Sequence, residues 1–194
     1  MRRIRTAILI SGRGTNMVAL IEAAKQPSFP AEIVLVISNS ADAGGLERAS
    51  ALGVKTVTIP HGVFPSREEF EAKIDQVLRE FDVELVCLAG FMRVLTASFI
   101  EKWPGRLLNI HPSLLPELKG LHTHERAISQ RANIHGCTVH YVVSELDAGP
   151  IIAQAAVPVL DDDTPDRLAA RVLEQEVRLY PKALADVAVQ LAQK

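Results

Sequence analysis

Apolar runs of strand length recur along this chain with helical patterns between them, and that alternation is its strongest constraint. Ile4 to Ile10, Ile33 to Ile37 and Val83 to Ala89 are near-continuous apolar stretches rather than alternating ones. Such runs mark strands covered on both faces, as in parallel sheets. The first is followed by SGRGTN and then MVALIEAAK at helical spacing, a strand, glycine loop and helix that open a βαβ unit. Ala43 to Leu52 reads as a short helix closed by Gly53, and Lys55 to Ile59 as a third strand. Ser66, Arg67, Glu68 and Glu69 spell a capping box, after which Phe70, Ile74, Val77, Leu78 and Phe81 keep helical spacing. A short helix over Thr96 to Lys102 leads to a strand over Arg106 to Ile110.

The last third changes character. Thr138 to Val143 and Ile151 to Val157 are β runs joined by SELDAGP, too short for a helical crossover, so one strand is expected to be antiparallel. Thr164 and Pro165 start a helix that runs to Tyr180, where Pro181 is expected to break or kink it, and KALADVAVQLAQ is helical again. The expectation is one α/β domain over 1–194. It has a mainly parallel twisted sheet of about seven strands, one of them antiparallel, with helices on both faces and a Rossmann-like first half.

Composition narrows the partners. With 23% charged residues and a formal net charge of −2, the chain has no basic footprint for nucleic acid or an acidic membrane. MRRIRTAILIS mimics the start of a signal peptide, but glycines and polar residues end its apolar part early. No segment reaches the roughly 18 apolar residues of a membrane span. Cys87 and Cys137 lack pairing or metal spacing and read as free thiols in a reducing compartment, with the cytoplasm as the default.

Leu107 to Pro116, LLNIHPSLLP, carries the densest chemistry. Asn109 and His111 are two apart on a strand, so they share a face. Left unsatisfied there, either would cost on the order of 1 to 3 kcal/mol. A site and a satisfied core pair are both open on these residues alone. The loop Ser11 to Asn16 sits between strand and helix, where free N–H groups and the helix dipole favour an anion such as phosphate. It misses the third glycine of a dinucleotide fingerprint, having Met17 and Val18 there. The second strand ends in Ser38 and Asn39 rather than an acid, and no GK[ST] follows. A monophosphate site and a ligand-free tight turn remain the two readings.

Together, SGRGTN, LAGFMRVL at 88–95, LLNIHPSLLP at 107–116 and ELDAGPII at 145–152 resemble the phosphoribosylglycinamide formyltransferases, within the family of formyltransferases that use 10-formyltetrahydrofolate. The resemblance covers nearly the whole chain. It implies transfer of a formyl group from 10-formyltetrahydrofolate, a co-substrate, to the amine of glycinamide ribonucleotide in de novo purine biosynthesis. Asn109, His111 and Asp147 would then be catalytic, with Asp147 tuning His111 and assisting proton transfer. Gly12, Gly14, Thr15 and Asn16 would hold the ribonucleotide phosphate, and Glu176 its amine. Arg67, Met92, Arg93, Val94 and Leu95 would bind the formyl folate, as would Asn109 and the segment Val143, Ser144, Glu145, Leu146 and Asp147. No metal is expected, and the partners are small molecules acting on a monomer or homodimer.

Simpler readings stand beside these. Asp147 alone could be a turn residue, Arg67 a solvated one, and Glu176, inside its helix's apolar stripe with Leu168 and Val172, half of an ion pair. His122 and His124, with His135 and His140 further on, could suggest zinc. They more simply shape the loop and helix start after LLP, while His140 borders the site. Two other classes stay open: a hydrolase deformylating the same folate, and a non-catalytic module binding a phosphate ligand.

Overall fold

The structure, a computed structural model, describes residues 2–193. Seven strands form one sheet in the order β3-β2-β1-β4-β5-β6-β7. They are β1 (Ile4–Ile10), β2 (Ala31–Ser38), β3 (Thr56–Thr58), β4 (Leu85–Leu88), β5 (Leu107–His111), β6 (Ile134–Tyr141) and β7 (Ile151–Pro158). The first five run parallel, while β6 pairs antiparallel with both β5 and β7. One strand is therefore reversed, as the short SELDAGP connection predicts. The helices are α1 (Thr15–Ala24), α2 (Gly44–Ala51), α3 (Arg67–Glu80), α4 (Ala97–Lys102), α5 (Thr123–Ser129) and α6 (Pro165–Ala192).

Strand periodicity divides the core in two. Ile4, Ile8 and Ile10 of β1 pack with Met17 and Leu20 of α1 and Leu168, Val172 and Leu184 of α6. Ala7 and Leu9 point the other way, against Phe70, Ile74 and Leu78 of α3 and Phe99 of α4. Each such fully buried Leu, Ile or Phe contributes about 1.5 to 3 kcal/mol relative to exposure. α3 begins where the capping box says, with the Glu69 N–H donating to Ser66 Oγ at 3.1 Å. At α6 the Arg167 N–H donates to Thr164 Oγ1 at 3.3 Å, with Pro165 in the first turn.

Two expectations change. Pro181 does not end its helix: α6 runs unbroken from Pro165 to Ala192. The proline forfeits one backbone hydrogen bond, but Ala183, Leu184, Val187 and Ala188 beyond it are buried in the same core as Leu168 and Val172. Continued burial outweighs that loss. β6 starts at Ile134 rather than Thr138, its first residues disguised by His135 and Gly136. That glycine is required, because a Cβ there would lie 2.0 Å from the Ala155 carbonyl oxygen.

The chain steps outward from β1 through β2 to β3, then returns to place β4 on the other side of β1. The crevice beyond the C-terminal ends of β1 and β4 is thus the switch point at which open α/β sheets bind ligands. Tyr180 of α6, fully buried, shares its hydroxyl proton between the carbonyls of Leu88 at 3.1 Å and Leu108 at 3.2 Å. It ties the helix to β4 and β5 one residue before Asn109.

Candidate active site

Asn109 on β5 stands opposite His140 on the reversed β6. The His140 Nδ1–H donates to the Tyr141 carbonyl at 2.9 Å, which leaves Nε2 as an acceptor. The Asn109 amide donates to it at 3.2 Å. That bond fixes which end of the amide is nitrogen. Burial pushes His140 below the ordinary imidazole value, against the opposing pull of the Tyr141 carbonyl and the Asp147 carboxylate, so the ring is a neutral acceptor.

His111, two residues on, is 6% exposed. Its Nε2–H donates to the Leu118 carbonyl at 3.0 Å, and its Nδ1 lies 3.4 Å from Asp147 Oδ2. Both ring nitrogens therefore face acceptors. The same Asp147 oxygen accepts the Gly120 N–H at 2.9 Å, and Oδ1 is 3.8 Å from His140 Nε2. Asp147 adopts φ 49°, a left-handed conformation that costs a non-glycine residue about 1 kcal/mol or more and often marks a functional position. Next to it, a Cβ on Gly149 would lie 1.7 Å from the Tyr141 carbonyl oxygen, so the loop can close this tightly only with glycine.

The turn after His111 is pinned from beneath. Thr138 Oγ1 donates to the Ser113 carbonyl at 2.7 Å and accepts the Leu115 N–H at 3.0 Å. Gln154 donates to Thr138 Oγ1 and to the Leu115 carbonyl, both at 2.9 Å. The Leu115–Pro116 peptide bond is cis.

These groups open on a cavity of about 710 Å³ lined by Asn109, His111, His140 and Asp147. Met92, Arg93, Val94 and Leu95 form one wall, and Val143, Ser144, Glu145 and Leu146 another. Of nine exposed large apolar side chains among the described residues, five (Met92, Val94, Leu121, Val143, Leu146) line this one cavity. Such clustering marks a binding surface for an apolar ligand. Asn16 and Glu176 line the same cavity. The Asn16 amide donates to Glu176 Oε2 at 2.7 Å, while its own Oδ1 is buried with no partner among the described residues. Burial pushes the Glu176 carboxyl up, with the Asn16 hydrogen bond opposing. An orphaned acceptor beside a buried carboxylate calls for a donor-rich ligand.

Other expected positions are less central. Gly14, at φ 70°, caps α1 without a side-chain cap, and the first turn carries no acid, which leaves Thr15 and its neighbours with free N–H groups. Gly12, Gly14 and Thr15 lie beside the cavity's Asn16 rather than among its lining, and Arg67 is exposed at the start of α3 and does not line it either. His122 and His124 diverge: His122 approaches Glu125, and His124 Nδ1 meets His135 Nε2 at 3.1 Å. Burial, with His124 and His111 adding to it, pushes His135 down to about 4. Among the described residues no group of three or more His, Cys, Asp or Glu could hold a metal ion. Both thiols are buried and pushed up to about 12 by burial. The expectation that His140 borders the site gains a partner here: the β5–β6 register puts it directly across from Asn109.

An open sheet with a crevice at its switch point, and an amide, imidazoles and a carboxylate lining one cavity there, fits a group-transfer enzyme of the α/β class. The chain belongs to the formyl transferase family, whose model matches residues 4–184. It is 45% identical over 178 residues to the phosphoribosylglycinamide formyltransferase of Escherichia coli (strain K12), covering 92% of this chain and 84% of that protein. The crystal structure of phosphoribosylglycinamide formyltransferase from Brucella melitensis superposes with a TM-score of 0.93 at 53% identity, covering 96% of each chain. The trifunctional purine biosynthetic protein adenosine-3 of Gallus gallus is 51% identical over 186 residues, and this chain spans 18% of its length.

Proposed function

We propose that this chain transfers a formyl group from 10-formyltetrahydrofolate to the amine of glycinamide ribonucleotide. The products are formylglycinamide ribonucleotide and tetrahydrofolate, a step of purine biosynthesis. The observation that carries the reading is the convergence of Asn109, His111 and Asp147 on one cavity that is also lined by exposed apolar side chains and by the Asn16–Glu176 pair. The names of the Escherichia coli and Brucella melitensis relatives support the same acceptor.

The chemistry follows from what these side chains can do. As the amine attacks the formyl carbon, charge develops on the formyl oxygen, and donors already aimed at it lower the barrier. Asn109, its amide held by His140, keeps one N–H without a protein partner among the described residues. His111 supplies a second donor when its Nε2–H exchanges the Leu118 carbonyl for the formyl oxygen, with Nδ1 kept beside Asp147. The attacking amine loses a proton and the departing folate nitrogen gains one, and Asp147, beside both imidazoles, is placed to assist that transfer through water. The exposed apolar walls suit a flat ring system, with Arg93 and the backbone of Met92 to Leu95 and Val143 to Asp147 as its polar contacts. Arg67 would serve the formyl-folate side from the rim. The free N–H groups around Gly12, Gly14, Thr15 and Asn16 would take the phosphate, and Glu176 the acceptor amine.

Cytoplasmic residence, one catalytic domain and a monomeric or homodimeric state complete the proposal; no helix among the described residues is long and apolar enough to cross a membrane. The test is folate release from 10-formyltetrahydrofolate, or its dideaza analogue, with and without glycinamide ribonucleotide. Release that requires the ribonucleotide is expected. Release without it means a hydrolase, and none in either case overturns the reading.

A further inference from the structure

A chain of hydrogen bonds crosses the crevice between β1 and β4, and the proposed chemistry does not use it. The Met92 backbone N–H donates to Ser11 Oγ at 2.8 Å. With that N–H as donor, the hydroxyl keeps its own proton to give, and it gives it to Asn39 Oδ1 at 2.5 Å. The Asn39 amide, 6% exposed, is thereby oriented with its nitrogen toward His61, whose Nδ1 it reaches at 3.1 Å. Ser11 also donates its backbone N–H to the Gly90 carbonyl at 3.1 Å. The residue just before the glycine loop is thus joined twice to the segment after β4.

Packing on the core holds the two ends of that segment, Phe91 and Leu95, but not the residues between them. Phe91 to Leu95 belongs to no helix or strand. Among the described residues its only hydrogen bond to the rest of the fold is the one from Met92 to Ser11. Met92 and Val94 are 65% and 54% exposed on the cavity wall, so packing does not fix them either. Ser11 Oγ, in contrast, is fixed from behind by Asn39.

We propose that Ser11 is a positioning residue that couples the two substrate sites. Its hydroxyl presents the donor-side wall, while its backbone leads directly into the Gly12–Asn16 loop on the acceptor side; the assignment of those two sides rests on the function proposed above. An anion held by the loop restrains Ser11, Ser11 restrains Met92, and acceptor binding therefore tightens donor binding. By linkage the effect is reciprocal.

The experiment compares wild type, Ser11→Ala, Ser11→Cys and Ser11→Thr. Steady-state kinetics would be run with both substrates, and binding of the dideaza formyl-folate analogue measured with and without glycinamide ribonucleotide. Loss of one hydrogen bond to a partly buried group predicts about a fivefold rise in donor KM for Ser11→Ala. Its kcat should stay within about twofold, and the acceptor-induced tightening of the analogue should shrink toward none. Ser11→Cys, which keeps the size but accepts weakly, should shift the same way and covers the case in which alanine fails to fold; Ser11→Thr should restore coupling. A folded alanine or cysteine variant with unchanged donor KM and unchanged coupling overturns the proposal, as does a raised donor KM with the acceptor-induced tightening intact. Wild-type protein that shows no acceptor-dependent release overturns the functional reading, and the coupling with it.

Discussion

Across β5 and β6, the amide of Asn109 donates to Nε2 of His140 at 3.2 Å, so a neutral imidazole decides how the amide faces the cavity. Asn109→Ala should lower kcat on the order of 100- to 1,000-fold, the usual loss for one oxyanion donor. His140→Ala leaves the amide present but free to rotate, and should lower kcat on the order of 10- to 100-fold with both KM values little changed. Steady-state kinetics on the two variants checks the ranking; a His140→Ala enzyme with wild-type kcat would remove His140 from the account.

Asp147→Asn keeps an oxygen for the Gly120 N–H but removes the charge 3.4 Å from His111. Proton transfer assisted by a positioned group is worth about 10²- to 10⁴-fold. A kcat loss in that range, with an unaltered thermal midpoint, is expected; equal losses in kcat and stability would make Asp147 a loop anchor only.

Glu176 is 8% exposed and its carboxyl is raised by burial. A carboxyl with a higher pKa folded than unfolded subtracts stability as pH rises above the unfolded value, because the unfolded chain ionises first. Glu176→Gln should therefore melt higher than wild type at pH 7, while KM for the ribonucleotide rises about tenfold. Scanning calorimetry and acceptor titration test the two halves separately.

Acid should destabilise the fold through its buried imidazoles. Burial is the largest cause lowering His124, His135 and His140, with His135 near 4. Below the unfolded value of about 6.5 the unfolded chain takes up protons that the folded one refuses, so stability falls as pH drops from there toward 4. Denaturant midpoints between pH 7 and 4.5 give the slope, and the His135 ring should still read as neutral by NMR at pH 5.

Gly149→Ala must move either the Asp147 loop or the Tyr141 carbonyl, since its Cβ would sit 1.7 Å from that oxygen. A loss of about 1 to 3 kcal/mol is expected, together with reduced kcat, because the displaced loop carries Asp147. Urea unfolding and kinetics on one preparation measure both.

Strands with continuous apolar runs, capped helices and the reversed hairpin were legible because each is written locally: Ser66 three before Glu69, Pro165 after Thr164, seven residues between two β runs. The pairing of Asn109 with His111 was legible too, from strand periodicity alone. What escaped was non-local. His140 gains meaning only from the β5–β6 register, and Gly136 conceals the start of β6 because its reason, the Ala155 carbonyl, lies on another strand. Pro181 misled for a related reason: a local rule about proline met an apolar face that continues past it. The link from Ser11 to Met92 spans the first and fourth strands, and no spacing in the sequence announces it.

α6 brings Glu176 to the cavity and, one turn later, seats Tyr180 beneath the carbonyls of Leu88 and Leu108. One rod thus holds both the carboxylate and the seam between β4 and β5, the strand that carries Asn109 and His111. The proposed seat for the acceptor and the spacing of those strands are geared together, so a tilt of that rod cannot change one without changing the other.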